Sequence, residues 1–132
     1  MEAGDGCPAA TPSSGTYIVA TETGTRHPTG DWTDTPENWG PEAWRLLDDA
    51  LETLLPVAEE AGAILALEGY VKNVLKTQSQ LLEVLERFPT PHLQVVCDPY
   101  NYLSSHLVAA QDRATSELLA RFEDRFVVAH LK

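Results

Sequence analysis

Long apolar runs are missing from this sequence, as are paired cysteines, basic patches and glycine-rich phosphate loops. No stretch approaches the roughly 20 apolar residues that a bilayer-spanning helix needs, which excludes a transmembrane helix. Met1 to Ser14 has neither a basic start nor an apolar centre, so it does not read as a secretory signal. Cys7 and Cys97 lie far apart with no C-x-x-C spacing. Cys97 sits inside an apolar run and is expected as a small buried core residue, not a disulfide partner or thiolate ligand. No dinucleotide fingerprint and no Ser-centred nucleophile elbow occurs. Cationic side chains are scarce, 9 against 20 acidic ones, for a net charge of −11. Such a surface repels phosphate backbones, so nucleic acid is not an expected partner. These absences leave a soluble, cytoplasmic protein with no membrane partner as the expectation.

What is present is regular. The chain has 132 residues, 43% of them hydrophobic, enough for one domain with a real core. Residues 1–14, rich in Gly, Pro, Ala, Ser and Thr, read as an irregular leader, and 15–132 as the folded domain. Tyr17 to Glu22, Ala63 to Glu68, Leu93 to Asp98 and Phe126 to Lys132 are short, apolar, β-branched runs, expected as buried strands. Between them lie helical periods. Glu42 to Ala61 carries Trp44, Leu47, Leu51, Leu54 and Leu55 on one face, with Pro56 expected to kink or split it and Gly62 to cap it. Thr77 to Phe88 and Ser104 to Glu123 are the next two helices, and Thr23 to Pro41 is a long polar loop. The order β-α-β-α-β-α-β means a parallel sheet covered by helices. An open sheet and part of a (β/α)8 barrel both satisfy it. A full barrel takes roughly 250 residues, and the last strand has no helix to cover it, so a partial barrel is the better expectation.

Each apolar run ends at or beside a residue able to bind metal: Glu22, Glu68, Asp98 and His130, spaced 46, 30 and 32 residues apart. Each interval holds one βα unit. In parallel α/β folds the carboxyl ends of the strands open onto one face, so these side chains are expected to converge there. Oxygen donors with one imidazole suit Mn²⁺, Mg²⁺ or Co²⁺, and Zn²⁺ fits the same set. Singly, each has a plainer explanation: a carboxylate after a strand is often a helix cap, and a lone His is usually a hydrogen-bonded rim residue. Their shared place in the fold is the argument.

The strings ATETGTR (Ala20 to Arg26), LALEGY (Leu65 to Tyr70), VVCDPYN (Val95 to Asn101) and VVAHLK (Val127 to Lys132) resemble the xylose-isomerase-like TIM-barrel family of sugar-phosphate isomerases and epimerases. The resemblance implies that these are the fourth to seventh strands of a barrel. It implies Glu68, Asp98 and His130 as metal ligands, with Glu68 also a catalytic acid/base. It further implies that a bound cation stabilises an enediolate formed when a C–H proton leaves a small carbohydrate or sugar phosphate. The family's fourth ligand, a Glu ending the eighth strand, lies beyond Lys132, so the chain alone is expected to bind metal weakly and turn over little or nothing. Substrate contacts are expected from Glu22, Tyr70, Lys132 and Asn101. Asn101 stands where many relatives carry a His; it either bonds a sugar hydroxyl or stabilises the turn. His27 and Trp32 are read as surface residues of the long loop rather than a lid, and His106 as a bystander. Two other readings stay open: a metal-dependent dehydratase or phosphodiesterase on the same barrel, and a non-catalytic α/β binding module. The phosphodiesterase would need more histidines and a basic groove. A half-barrel is expected to self-associate through its exposed edges.

Overall fold

In the computed structural model, residues 17–24, 34–103 and 108–130 are described, apart from the side chains of Ala20 and Glu22. Four strands form one parallel sheet in sequence order: β1 (Ile18–Glu22), β2 (Ile64–Glu68), β3 (Leu93–Cys97) and β4 (Phe126–Ala129). Three helices connect them: α1 (Pro41–Ala61), α2 (Gln78–Arg87) and α3 (Gln111–Phe122). The sheet is a curled half-barrel with the helices on its outer face.

Each helix is framed by local chemistry. α1 begins with Pro41 in its first turn and ends at Gly62, whose left-handed backbone (φ 63°) returns its N–H to Ala58 and Glu59. Of the kink or split expected at Pro56, the split does not occur: the helix is continuous from Pro41 to Ala61. Pro56 and Glu52 are both exposed, so the carbonyl that loses its intrahelical donor is at the solvent face. α2 starts with a complete capping box: Thr77 accepts from the Gln80 backbone, and the Gln80 side chain accepts from the Thr77 backbone. The third helix is shorter than expected. A 3₁₀ turn over Val108–Ala110 leads into α3 at Gln111, and 104–107 lie outside the described residues.

The core lies between the sheet's outer face and the helices. Leu65, Leu67, Leu93 and Val95 point outward from β2 and β3 and meet Leu51 and Leu55 of α1, Leu81, Val84 and Leu85 of α2, and Leu118 and Phe122 of α3. Alternation then sends Ala66, Glu68, Val96 and Asp98 to the concave face. Cys97, expected in the core, is only half-buried at the end of β3. The bounds of β1, β2 and β3 differ from the sequence reading by one residue; β4, read as running to Lys132, ends at Ala129, leaving His130 as the first residue past it, and 131–132 lie outside the described residues.

Candidate metal centre

The carboxyl ends of β2, β3 and β4 hold the site. Glu68 is the last residue of β2; Asp98 and His130 directly follow β3 and β4. The β3–β4 register decides whether His130 arrives on the correct face. Val95 pairs with Phe126, but Val96 pairs with Val128, so β4 spends one extra residue, Val127, in a bulge. Without the bulge, Asp98 would face position 129, an alanine. With it, the pairing Cys97–Ala129 carries forward to place His130 beside Asp98, and His130 donates its backbone N–H to Cys97 at 2.9 Å.

The three side chains meet. Nδ1 of His130 lies 3.1 Å from Oε1 of Glu68 and 3.5 Å from Oδ2 of Asp98. One donor atom from each residue falls within 4.8 Å of the others. Donors around one hard cation, bound at roughly 2.0–2.6 Å, are separated by about 3–5 Å, so the set fits a single ion. Glu68 and Asp98 are buried, at 8% and 1% exposure, while His130 is partly open. Two buried carboxylates this close repel each other unless a cation or donor compensates them.

Asn101 supplies part of that compensation. Its Nδ2 donates to Oε1 of Glu68 at 2.7 Å, and its backbone N–H donates to Oδ1 of Asp98 at 3.3 Å. The 3₁₀ turn over Pro99–Tyr102, capped by Asp98, brings it there. Of the two roles expected for Asn101, the turn contact is present, and the amide orients Glu68. Tyr70 is half-buried after β2, its backbone N–H donating to Leu75. Glu22 ends β1 in register with Glu68, though its side chain lies outside the described residues. Lys132, His27, Trp32 and His106 also lie outside them.

Sequence reasoning missed Tyr102. Its ring is buried at the end of that same turn, and its hydroxyl rests against Gly69 without a hydrogen-bond partner of good geometry. A Cβ at position 69 would stand 2.1 Å from that oxygen, so only glycine fits. Burial pushes the Tyr102 phenol well above its ordinary range, and Glu68 and Asp98 add to the shift. Burial, with Asp98 beside it, likewise raises the Cys97 thiol. The Y in VVCDPYNY carried no pattern that separates it from Tyr100, which is exposed.

The opposite rim looks quite different. His92 there contacts the carbonyl of Ala63 through Nδ1 at 2.6 Å, a structural tie with no carboxylate. Among the described residues no helix is long and apolar enough to cross a membrane.

The family model described as Xylose isomerase-like TIM barrel matches residues 13–132. No curated protein and no solved structure matches the chain. The match takes in all four strands and every residue of the cluster, and the chain belongs to the xylose isomerase-like TIM barrel family.

Proposed function

We propose that this chain is the metal-holding part of a divalent-metal-dependent sugar isomerase or epimerase. One observation carries the reading: Glu68, Asp98 and His130, from three adjacent parallel strands, offer donor atoms within 4.8 Å of one another. Family membership supports the same chemistry. Two carboxylates and one imidazole suit Mn²⁺, Mg²⁺ or Co²⁺, with Zn²⁺ next. When bound, such an ion polarises adjacent carbonyl and hydroxyl oxygens and acidifies the C–H between them.

The protein's own groups divide the remaining work. Asp98, fully buried, is a fixed ligand. Glu68 is ligand and proton acceptor together: Asn101 holds Oε1, which orients the carboxylate toward the concave face. His130, more open, completes the set at the solvent side. Glu22, Tyr70 and Lys132 are the expected substrate contacts, by the family resemblance of the strings that hold them. The reading takes a small carbohydrate or sugar phosphate as substrate and the cytoplasm as compartment, with no nucleic-acid partner.

Titration of the purified chain with Mn²⁺, followed by the loss of the free-ion paramagnetic resonance signal, tests it. One ion per chain is expected. Glu68→Gln, Asp98→Asn and His130→Asn should each weaken binding by about 100-fold or more, and Asn101→Ala by about 10-fold. In D₂O with Mn²⁺, deuterium should enter the carbon beside the carbonyl of a bound sugar only slowly, since the chain alone is expected to turn over little or nothing, and Glu68→Gln should stop it. Mn²⁺ binding that ignores Asp98→Asn would sink the proposal.

A further inference from the structure

Acids outnumber bases by 20 to 9 in this chain, yet three of the bases meet in one place. A groove of about 410 Å³ opens between α2 and α3, on the helix side of the sheet, and Lys76, Arg113 and Arg121 line it. Glu117 is the one acid among its lining residues. Outside the groove, Arg45, Lys72 and Arg87 are all tied to carboxylates. Inside it, Arg113 is held by Glu117 at 3.5 Å. Lys76 and Arg121 have no carboxylate partner among the described residues. The Lys76 ammonium lies 4.8 Å from the centre of the Trp39 ring, and Nη1 of Arg121 donates to Oγ of Ser79 at 3.3 Å. Neither contact neutralises a charge; each fixes where one sits.

We infer that this groove is a binding site for a phosphate group, separate from the metal centre. Two unneutralised cations facing one groove repel each other and together attract a dianion. A phosphate monoester carries roughly −1.5 to −2 charges at neutral pH, which matches Lys76 and Arg121. A carboxylate would match only one of them. The Arg121 guanidinium can bond two phosphate oxygens at once, with Lys76 acting as a point charge. The volume suits a small molecule, since ligand pockets run from roughly 300 to 1,000 Å³. A long polyanion would meet the whole surface and its net charge of −11. A small ion within the groove meets the nearby cations, because salt screens charges beyond about 8 Å.

The groove and the metal centre share one wall. Tyr102 lines the groove, while its neighbour Asn101 bonds Glu68 on the concave side. Val71, also in the groove, donates its backbone N–H to the Asn101 carbonyl. The groove opens among the helices, so its phosphate is not one held by the cation, and the site does not rest on the metal reading. No stretch of sequence announces it. Positions 76, 113 and 121 come together only when α3 packs beside α2.

Phosphorus-NMR linewidths of inorganic phosphate and of glycerol phosphate, each titrated with the metal-free chain in EDTA, test the site. One phosphate per chain is expected, with a dissociation constant on the order of 1 mM at low salt. Lys76→Gln and Arg121→Gln should each weaken binding by about tenfold and leave the circular dichroism unchanged. Glu117→Gln, which releases Arg113, should tighten it by about threefold. Arg45→Gln, an exposed cation of α1 outside the groove, should change nothing, and acetate should not compete. Tighter binding of the ester than of the free ion names a phosphorylated metabolite as occupant, and the reverse or equality names free phosphate; either upholds the site. Binding that survives both Lys76→Gln and Arg121→Gln, a Glu117→Gln chain that binds more weakly, or competition by acetate at equal concentration overturns it. So does a lack of broadening at about 20 mM phosphate. Mn²⁺ binding that ignores Asp98→Asn would sink the metal centre and leave this result standing.

Discussion

The two edge strands of this sheet have similar sequences and different fates. β1 (IVATE) pairs with β2 through five successive partners without interruption. β4 (FVVA) pairs with β3 on both sides of a bulge that uses up Val127. Ile18 and Val19 of β1 are exposed at 41% and 54%, whereas Phe126 of β4 packs its ring 6.2 Å from that of Phe122 in the core. Composition therefore made both segments strands, but register and anchoring decided what each one carries. An in-register strand repeats its neighbour's face, as Thr21 does beside Leu67. A bulged strand swaps faces midway, so one strand packs Phe126 into the helix layer and still presents His130 to the concave side.

Moving the bulge is the strongest way to test that contrast. Deleting Ala129 keeps Val127 in its bulge and puts the histidine opposite Cys97, on the outer face. Mn²⁺ affinity should then fall by about 100-fold, some 2.7 kcal/mol. Deleting Val127 instead removes the bulge but preserves the pairing of Val96 with Val128, so His130 stays beside Asp98 and affinity should hold within a few-fold. Equal losses in the two deletions, read by the same titration, would mean that register does not place His130.

A smaller effect separates the edges by packing. Phe126→Ala removes a ring that is half-buried against the core and should cost about 2 kcal/mol in urea unfolding of dilute chain. Ile18→Ala, at the exposed edge of β1, should cost less than about 1 kcal/mol under the same conditions. If Ile18 proves as costly as Phe126, β1 is not a bare edge.

The limits of reading this sequence follow the same line. Apolar runs and helical periods marked all four strands and all three helices, because burial on both faces and one-sided amphipathicity leave direct traces in residue order. Glu68, Asp98 and His130 were legible because each ends or directly follows a strand. The bulge was not legible: FVVAH looks like a plain alternating run, and only pairing with β3 reveals that Val127 is spare. Pro56 did not split the helix, because the cost of a mid-helix proline depends on whether the orphaned carbonyl reaches water. Asn101 was seen, but its amide's commitment to Glu68 is a contact 33 residues away in sequence. Tyr102 had no signature at all, since the fit of its hydroxyl over Gly69 is made between two strand ends.

That fit gives the mildest prediction, in the middle of the sheet against which both edges are judged. The Tyr102 hydroxyl is buried beside Gly69 with no good hydrogen-bond partner, so it contributes desolvation cost and little return. Tyr102→Phe keeps the ring in the core and should be neutral or stabilising by up to about 1 kcal/mol at pH 7. The pH dependence has a definite sign. The phenol is held above its ordinary value of 10 in the folded state, first by burial and then by Glu68 and Asp98. Below pH 10 it is neutral folded or unfolded and adds no slope. Above pH 10 the unfolded chain loses the proton while the folded chain retains it, so stability falls as pH rises. Urea midpoints taken from pH 8 to 11 should therefore drop less steeply for Tyr102→Phe than for the parent chain. Parallel curves would show that the hydroxyl is hydrated in the folded protein, and that Gly69 is small for some reason other than making room for it.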